Sequence, residues 1–565
     1  MKSDLDIAQK ARLKPITEVA ARLGIAKKYL ECYGDYKAKL SLDLLKANPP
    51  RLRSKYVVVT GVTPTHFGEG KTVTTIGLSM ALNRIGKTST ACIRQPSIGP
   101  FFGIKGGGLG GGYSQVLPME DINLHLTGDI HAVSQAHNLC ASFLDNSLYR
   151  SNRINIDLSK IFWQRVVDVN DRSLRKIKIA LGGGDSGVER QSGFDITAAS
   201  ELMAILALTE SLSDLRGRLS RIVVALSKYG KAVTCEDLKV AGSMALLLKE
   251  AIKPNLVQTI ENTPCIVHTG PFANITHGNS SIIADRVALG SSDYVVTEAG
   301  FGADCGLEKF VNIKCRTSGL KPNAVVLVAS VRALKVHSGM YKTAVGKPLS
   351  RDIITENLDA VDSGSVNLDK QIQNSRLYGL PVVVAVNRFP TDTDREIELI
   401  RAKALESGAF DCVTSDAYRY GSRGAEDLAN AVVTACGTRS KLKLLYPDAM
   451  SIKEKIGKIA KTVYGAKSIS YEPAADENIT RYEKLGYSKL PICMAKTHLS
   501  LSHDPLQKGA PKDFILPIRD VRPSIGAGFL YALCGKMLTM PSLPAHPAGE
   551  HIDIDAKGRM RYVHQ

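Results

Sequence analysis

Uninterrupted β-branched runs recur along this chain, each followed by a short stretch of Gly, Pro or polar residues. They are "YVVVTGVTP" (56–64), "TACIRQPSIGP" (90–100), "KIKIALGGGDSG" (176–187), "CIVHTGPFAN" (265–274), "DYVVTEAGFGAD" (293–304), "AVVLVASVRALK" (324–335) and "VVVAVNRFPTD" (382–392). Runs of Val and Ile without polar alternation predict strands buried on both faces of a parallel sheet. Helical periods lie between them. Val73–Ile85 is one, with Gly86 as its stop. Near the C-terminal end, "SIKEKIGKIAKTVYGAK" spaces Ile452, Ile456, Ile459 and Val463 as one apolar helix face, with lysines on the solvated side. The pattern predicts an α/β protein. Its main part is a large P-loop-type, doubly wound, mostly parallel sheet domain over residues 1–360, with "ENLDAVDSGSVNLDKQ" (356–371) at its boundary. Two smaller α/β domains follow, at 361–460 and 461–565. In such sheets ligands bind beyond the carboxyl ends of the strands, where this chain places its special residues.

Composition narrows the picture. With 565 residues and 44% hydrophobic content, the chain reads as a multidomain globular protein. No apolar run approaches the ~20 residues that a membrane helix needs, and the opening segment carries early acids unlike a signal peptide. The eleven cysteines include no Cys-x-x-Cys pair, which fits reduced thiols in a cytoplasmic protein. The net charge of +18 is spread along the chain among acids. That distribution favours small anionic substrates over nucleic acid.

The candidate chemistry starts at Thr65-His66-Phe67-Gly68-Glu69-Gly70-Lys71-Thr72, between a strand and a helix. The segment ends as an ATP-binding phosphate loop does but has Thr65 where the strict pattern has Gly. Backbone N–H groups and a helix N-terminus hold phosphates in such loops. Lys71 reaches the β/γ oxygens, and Thr72 is a candidate Mg²⁺ ligand. A second candidate is "GIKGGGLGGGYSQ" (103–115), where concentrated glycine brings backbone close to a ligand and Lys105 adds a cation. Gly106, Gly108 and Gly111, and also Gly182, Gly184 and Gly187, match the weak dinucleotide pattern. Arg94 and Arg332 stand near strand ends, where guanidinium forks suit carboxylates or phosphates. His125, His131, His268 and His277 each read better as structural than catalytic. Phe389 and Tyr418 lie in loops where aromatics can hold a flat heterocycle. These residues alone leave three readings open: an ATP-driven ligase, a partitioning or switch ATPase with a protein or DNA partner, and a nicotinamide-dependent oxidoreductase.

Taken together, the motifs resemble those of formate–tetrahydrofolate ligase, in its monofunctional form. The resemblance runs from the phosphate loop through "GIKGGGLGGGYSQVLPMEDINLHLTGDIHA", "RVVDVNDRSLR", "GFDITAASELMAI", "HTGPFANITHG", "VTEAGFGADCGLEKF", "SVRALKVHSG", "VNRFPTDTD", "CMAKT" and "RPSIGAGF" to "LTMPSLP". It implies a cytoplasmic homotetramer of three-domain subunits that acts in one-carbon metabolism. Its substrates would be formate, Mg-ATP and tetrahydrofolate, the last polyglutamylated, with formyl phosphate as intermediate. The family pattern puts residues 65–72 on ATP, with Lys71 and Arg94 catalytic. It puts Arg94, Lys105, Gly106 and Gly107 on formate and formyl phosphate, and Phe389 with Tyr418 on the folate ring. A K⁺ or NH₄⁺ ion near the Gln95 position is also implied. Three positions depart from the pattern: Gln95 replaces an acid, Leu109 an Ala, and Tyr418 a Trp.

Overall fold

A computed structural model describes residues 3–105, 109–341, 350–535 and 537–563. The chain is mixed α/β around a large, mostly parallel sheet. Its seven parallel strands, labelled in chain order, are β1 (Lys55–Gly61), β2 (Ser89–Ile93), β3 (Pro264–Val267), β4 (Tyr294–Glu298), β5 (Ala324–Ala329), β6 (Val382–Asn387) and β7 (Asp411–Ser415). In space they run β3-β2-β4-β1-β5-β6-β7. Beyond β3 the sheet continues antiparallel through Asn255–Thr259, Ala38–Leu40 and Leu30–Cys32. The consequence for function is local: β4 lies between β1 and β2, so three carboxyl ends distant in sequence become neighbours.

Strands β1 to β6 are buried on both faces, as their apolar and β-branched runs require, while β7 at the edge is only partly buried. Val57 and Val59 of β1 pack with Val326 and Val328 of β5 and with Leu78 and Leu82 of helix α1 (Lys71–Arg84). Tyr56 and Val58 face the other side. There they join Val325 and Leu327, Leu334 of α2 (Val331–His337), and Val361, Leu368 and Ile372 of α3 (Leu358–Arg376). Each such side chain, once buried, contributes roughly 1.5–3 kcal/mol relative to exposure. Gly86, at φ +81°, follows the end of α1, so the helix stops where the glycine predicts but starts two residues earlier than its apolar pattern.

Six of the seven predicted runs are strands of this sheet. The seventh, at 176–187, forms instead a two-stranded antiparallel hairpin, Ile177–Ile179 against Arg190–Ser192. Lys176 and Lys178 alternate with its isoleucines, a period that leaves one face in water. Gly182, Gly184 and Gly187 sit at the tip of that hairpin. Residues 361–460 supply most of α3 together with β6 and β7, which continue the main sheet. The C-terminal region has a separate core. Ile452, Ile456 and Ile459 pack there against Leu516, Ile518 and Leu530, on the helix face that their spacing predicts.

Candidate functional site

The chain leaves β1 through Val62-Thr63-Pro64, turns, and enters α1 at Lys71. Gly68 and Gly70 hold φ of +75° and +79°, a region that glycine enters without a Cβ penalty. Thr65 earns its place by its hydroxyl. Glu69 folds back under the loop, and its Oε1 accepts hydrogen bonds from Thr65 N (2.7 Å) and Thr65 Oγ1 (2.9 Å). Thr65 Oγ1 in turn accepts from Phe67 N at 3.3 Å. Burial raises the Glu69 pKa, while the Lys71 charge and the Thr65 bonds oppose the shift. A side-chain brace therefore stands where the strict pattern has a bare glycine. His66 is on the exposed edge of the turn.

Neighbouring strand ends converge on this loop. The Lys71 stem runs beside Gly61, where an added Cβ would lie 3.2 Å from Lys71 Cδ. Thr72 Oγ1 donates to Glu298 Oε2 at 2.9 Å, and Glu298 is the last residue of β4. On the far side of β4, Arg94 follows β2. One guanidinium N–H donates to Pro271 O at 3.1 Å, while its buried Nε has no partner. Burial lowers the Arg94 pKa and the Glu298 carboxylate raises it. From β6, Asn387 Nδ2 donates to Glu69 O at 3.1 Å.

Several buried polar atoms here lack partners. Gln95 is 2% exposed, and neither atom of its side-chain amide is hydrogen-bonded. Thr269 Oγ1, Asn279 Oδ1 and both ring nitrogens of His277 are in the same condition. An unmet buried polar group costs about 1–3 kcal/mol, so a cluster of them at strand ends marks a place where a polar ligand or water completes the bonding. By contrast His268 is a satisfied structural residue, bonded to Ser281 Oγ and Ala251 O at 2.6 and 2.7 Å. His125 and His131 are exposed.

Phe389 and Tyr418 extend from adjacent strands. Asn387 pairs with Ser415 in the register of β6 and β7, and Arg388 N donates to Ser415 O at 3.0 Å. The Arg332 guanidinium lies 3.9 Å over the Phe389 ring. Tyr418 is 39% exposed, and its hydroxyl donates to Asp4 Oδ1 at 2.8 Å. The same Asp4 oxygen accepts from Gly112 N at 2.9 Å. A Cβ on Gly112 would overlap the Tyr418 carbonyl, so this part of the glycine run is small in order to pack beside Tyr418. Leu109 fills a core pocket with Ile76, Met80 and Ile93. Gly106 and Gly107 lie outside the described residues, as does the side chain of Lys105.

The sequence reading missed Glu298, Asn387 and His498. His498 stacks at 4.1 Å on Phe301, a residue held at φ +66° three positions after Glu298. The motif "VTEAGFGAD" contained the first signal, a lone acid at the end of an apolar run. Chemically, Lys71 and Arg94 offer two cations to a polyanion, and Thr72 with Glu298 offers two hard oxygens to Mg²⁺.

Comparison with known proteins gives a consistent result. The family model described as Formate–tetrahydrofolate ligase matches residues 2–563. A protein of that name from Roseiflexus castenholzii is 57% identical over 561 residues, 99% of this chain and 100% of the relative. One from Saccharopolyspora erythraea is 56% identical over 558 residues, 99% of each chain. One from Cutibacterium acnes is 54% identical over 558 residues, again 99% of each.

Proposed function

The chain belongs to the formate–tetrahydrofolate ligase family, and from that premise we propose that it uses ATP to ligate formate to tetrahydrofolate through a formyl phosphate intermediate. A formate oxygen attacks the γ-phosphorus and ADP leaves with the bonding electrons. The folate N10 amine then attacks the formyl carbon and loses its proton. The C–O bond breaks, and phosphate departs carrying the former formate oxygen. Formate is already an anion at neutral pH, so the first step needs no general base. It needs charge neutralisation and alignment.

The observation that carries this reading is the meeting of the Gly70-Lys71-Thr72 turn, Glu298 and Arg94 at three adjacent strand ends. Residues 65–72 hold the nucleotide phosphates, with Lys71 on the β/γ oxygens. Thr72 and Glu298 take the Mg²⁺ of the nucleotide, as hard-oxygen donors 2.9 Å apart. Arg94 orients formate and then holds formyl phosphate, its unpartnered Nε available to an anion. The family resemblance adds Lys105, Gly106 and Gly107 to the formate and formyl phosphate contacts. Phe389 and Tyr418, reaching out from paired strands, hold the folate ring. Gln95 Oε1, buried and unbonded, fits as one oxygen ligand for K⁺ or NH₄⁺. We extend the proposal to a doubly wound nucleotide-binding domain at 1–360, a folate-contacting unit at 361–460 and a C-terminal unit at 461–565. The subunit so built assembles as a cytoplasmic homotetramer that takes polyglutamylated folate. Among the described residues no helix is long and apolar enough to cross a membrane.

The test is ADP release with formate and tetrahydrofolate omitted in turn, followed by turnover with ¹⁸O-formate. The proposal requires dependence on both substrates and one ¹⁸O in each phosphate released. ADP release indifferent to formate would favour a partner-stimulated ATPase. Phosphate without ¹⁸O would exclude formyl phosphate.

A further inference from the structure

Thr63 is the residue at which β1 becomes the phosphate loop, and each of its polar atoms is held. Its N–H donates to Asn367 Oδ1 at 3.0 Å. Its hydroxyl receives Asn367 Nδ2 at 2.8 Å and Gln371 Nε2 at 3.0 Å. Its carbonyl accepts from His337 Nε2 at 2.8 Å. Asn367 and Gln371 stand one turn apart on α3, and His337 ends α2. All three side chains are buried.

The same side chains grip a second piece of chain from the C-terminal region, "KTHLSLSHDPLQKG" (496–509). At one end Asn367 Nδ2 also donates to Gly509 O at 2.8 Å, and Gly509 N donates to His337 Nδ1 at 3.3 Å. At the other end Gln371 Nε2 donates to Asp304 Oδ1 at 2.7 Å, and the second Asp304 oxygen pairs with buried Lys496 at 2.8 Å. A carbonyl only accepts and an N–H only donates. His337 therefore satisfies Thr63 and Gly509 together only as the neutral tautomer protonated on Nε2. Gly509 adopts φ +68°, and a Cβ there would sit 3.1 Å from Val366 Cγ2, so the segment is closely seated.

Lys508 immediately precedes this anchor. It is half-buried, and its Nζ donates within its own segment, to Pro505 O at 2.8 Å and to Leu499 O at 3.4 Å. It has no carboxylate partner among the described ion pairs.

We propose that Asn367, Gln371 and His337 are positioning residues that fix the phosphate loop and the 496–509 segment as one unit, and that Lys508, the residue before the anchored Gly509, is thereby held near the loop as a further cation for the nucleotide phosphates. The inference rests on residues 65–72 being the nucleotide loop. It assigns the C-terminal region a part in ATP binding, separate from any contact with formate or folate.

The experiment is equilibrium binding of a non-hydrolysable Mg-ATP analogue by titration calorimetry, with steady-state kinetics alongside. The proteins are the unmodified full-length chain, His337→Gln, Lys508→Gln, their double variant and Lys71→Ala. His337→Gln keeps an amide donor for Thr63, while its amide oxygen lies off the Nδ1 position that accepts from Gly509. The expected result is a 3- to 10-fold weaker analogue affinity in each of His337→Gln and Lys508→Gln. The double variant should be no weaker than about the worse single one, because both remove the same contact. The ATP KM should rise more than kcat falls, with the tetrahydrofolate KM unmoved. Unchanged affinity in a folded Lys508→Gln protein would overturn the proposal, as would effects that multiply in the double variant. If Lys71→Ala also left affinity intact, the nucleotide-loop reading itself would fail, and the two failures are thereby told apart.

Discussion

Gly70→Ala tests the geometry of the phosphate loop at its tightest point. Gly70 sits at φ +79°, ψ +27°, as the residue before α1. An L-side chain in this region costs roughly 1–2 kcal/mol. The added methyl would also overlap the Asn387 amide, lying 2.9 Å from its Cγ. Moving Asn387 forfeits its bond to Glu69 O, worth about 1 kcal/mol. The total of about 2–3 kcal/mol, if it is taken from the bound state, weakens nucleotide binding roughly 30- to 150-fold. The assay is calorimetric Kd for Mg-ATP analogue in Gly70→Ala, Asn387→Ala and the double variant. Removing the amide relieves the overlap, so the double variant should bind less weakly than the two single effects predict when summed. Because Phe389 lies two residues beyond Asn387, the tetrahydrofolate KM should rise in Gly70→Ala as well. Near-normal affinity in Gly70→Ala, or strict additivity with Asn387→Ala, would refute the reasoning.

Lys71→Ala should lower ligation by ~10²-fold or more, since it removes a preorganised cation from developing phosphate charge; near-normal turnover by the folded variant would overturn the assignment. Tyr418→Trp should tighten tetrahydrofolate binding by the roughly 0.5–1.5 kcal/mol that aromatic contacts provide, and Tyr418→Ala should weaken it; an unchanged KM in the Ala variant removes Tyr418 from the site. Gln95→Glu should create a stimulation by K⁺ that the unmodified protein shows only weakly, because a unit charge ~4 Å from a cation is worth about 4 kcal/mol at an effective dielectric of 20, before desolvation; equal stimulation of both proteins would place the cation elsewhere. Burial pushes His137 down to about 3 and His268 and His337 to about 4, so the unfolded chain binds more protons between pH 6.5 and 4. Stability from these groups is complete above about pH 6.5 and falls by up to about 4 kcal/mol per unit below it. Buried Glu201 and Glu308, raised to about 8 and 7, act with the opposite sign from pH 4.5 upward, so urea midpoints should peak near pH 6; a flat profile from pH 4 to 8 contradicts this.

Six central strands were legible because each is a short, largely apolar or β-branched run with both faces buried. β7, "DCVTS", was not, since an edge strand with mixed polarity carries little signal. The hairpin at 177–192 misled the reading by placing β-branched residues in a run whose polar alternation was short. Lys71, Thr72 and Arg94 announce themselves by position after a strand. Glu298 does not, because only the order of β1, β4 and β2 brings it to Thr72 across 226 residues. Asn367 and Gln371 are harder still. Polar residues four apart on a helix read as a solvated face, whereas here that face is buried and every amide has a partner.

The position of β1 carries a consequence for how the protein is made. It is the first of the parallel strands to leave a ribosome, yet its two neighbours are β4 and β5, the nearer one about 240 residues later; at about 5–20 residues per second that is a delay of roughly 12–50 s. Throughout that interval a strongly apolar segment has neither of its sheet partners. The phosphate loop attached to it has no Glu298 to meet Thr72 and no α3 to hold Thr63. A chain ending before residue 294 would carry this apolar strand with both of its edges open.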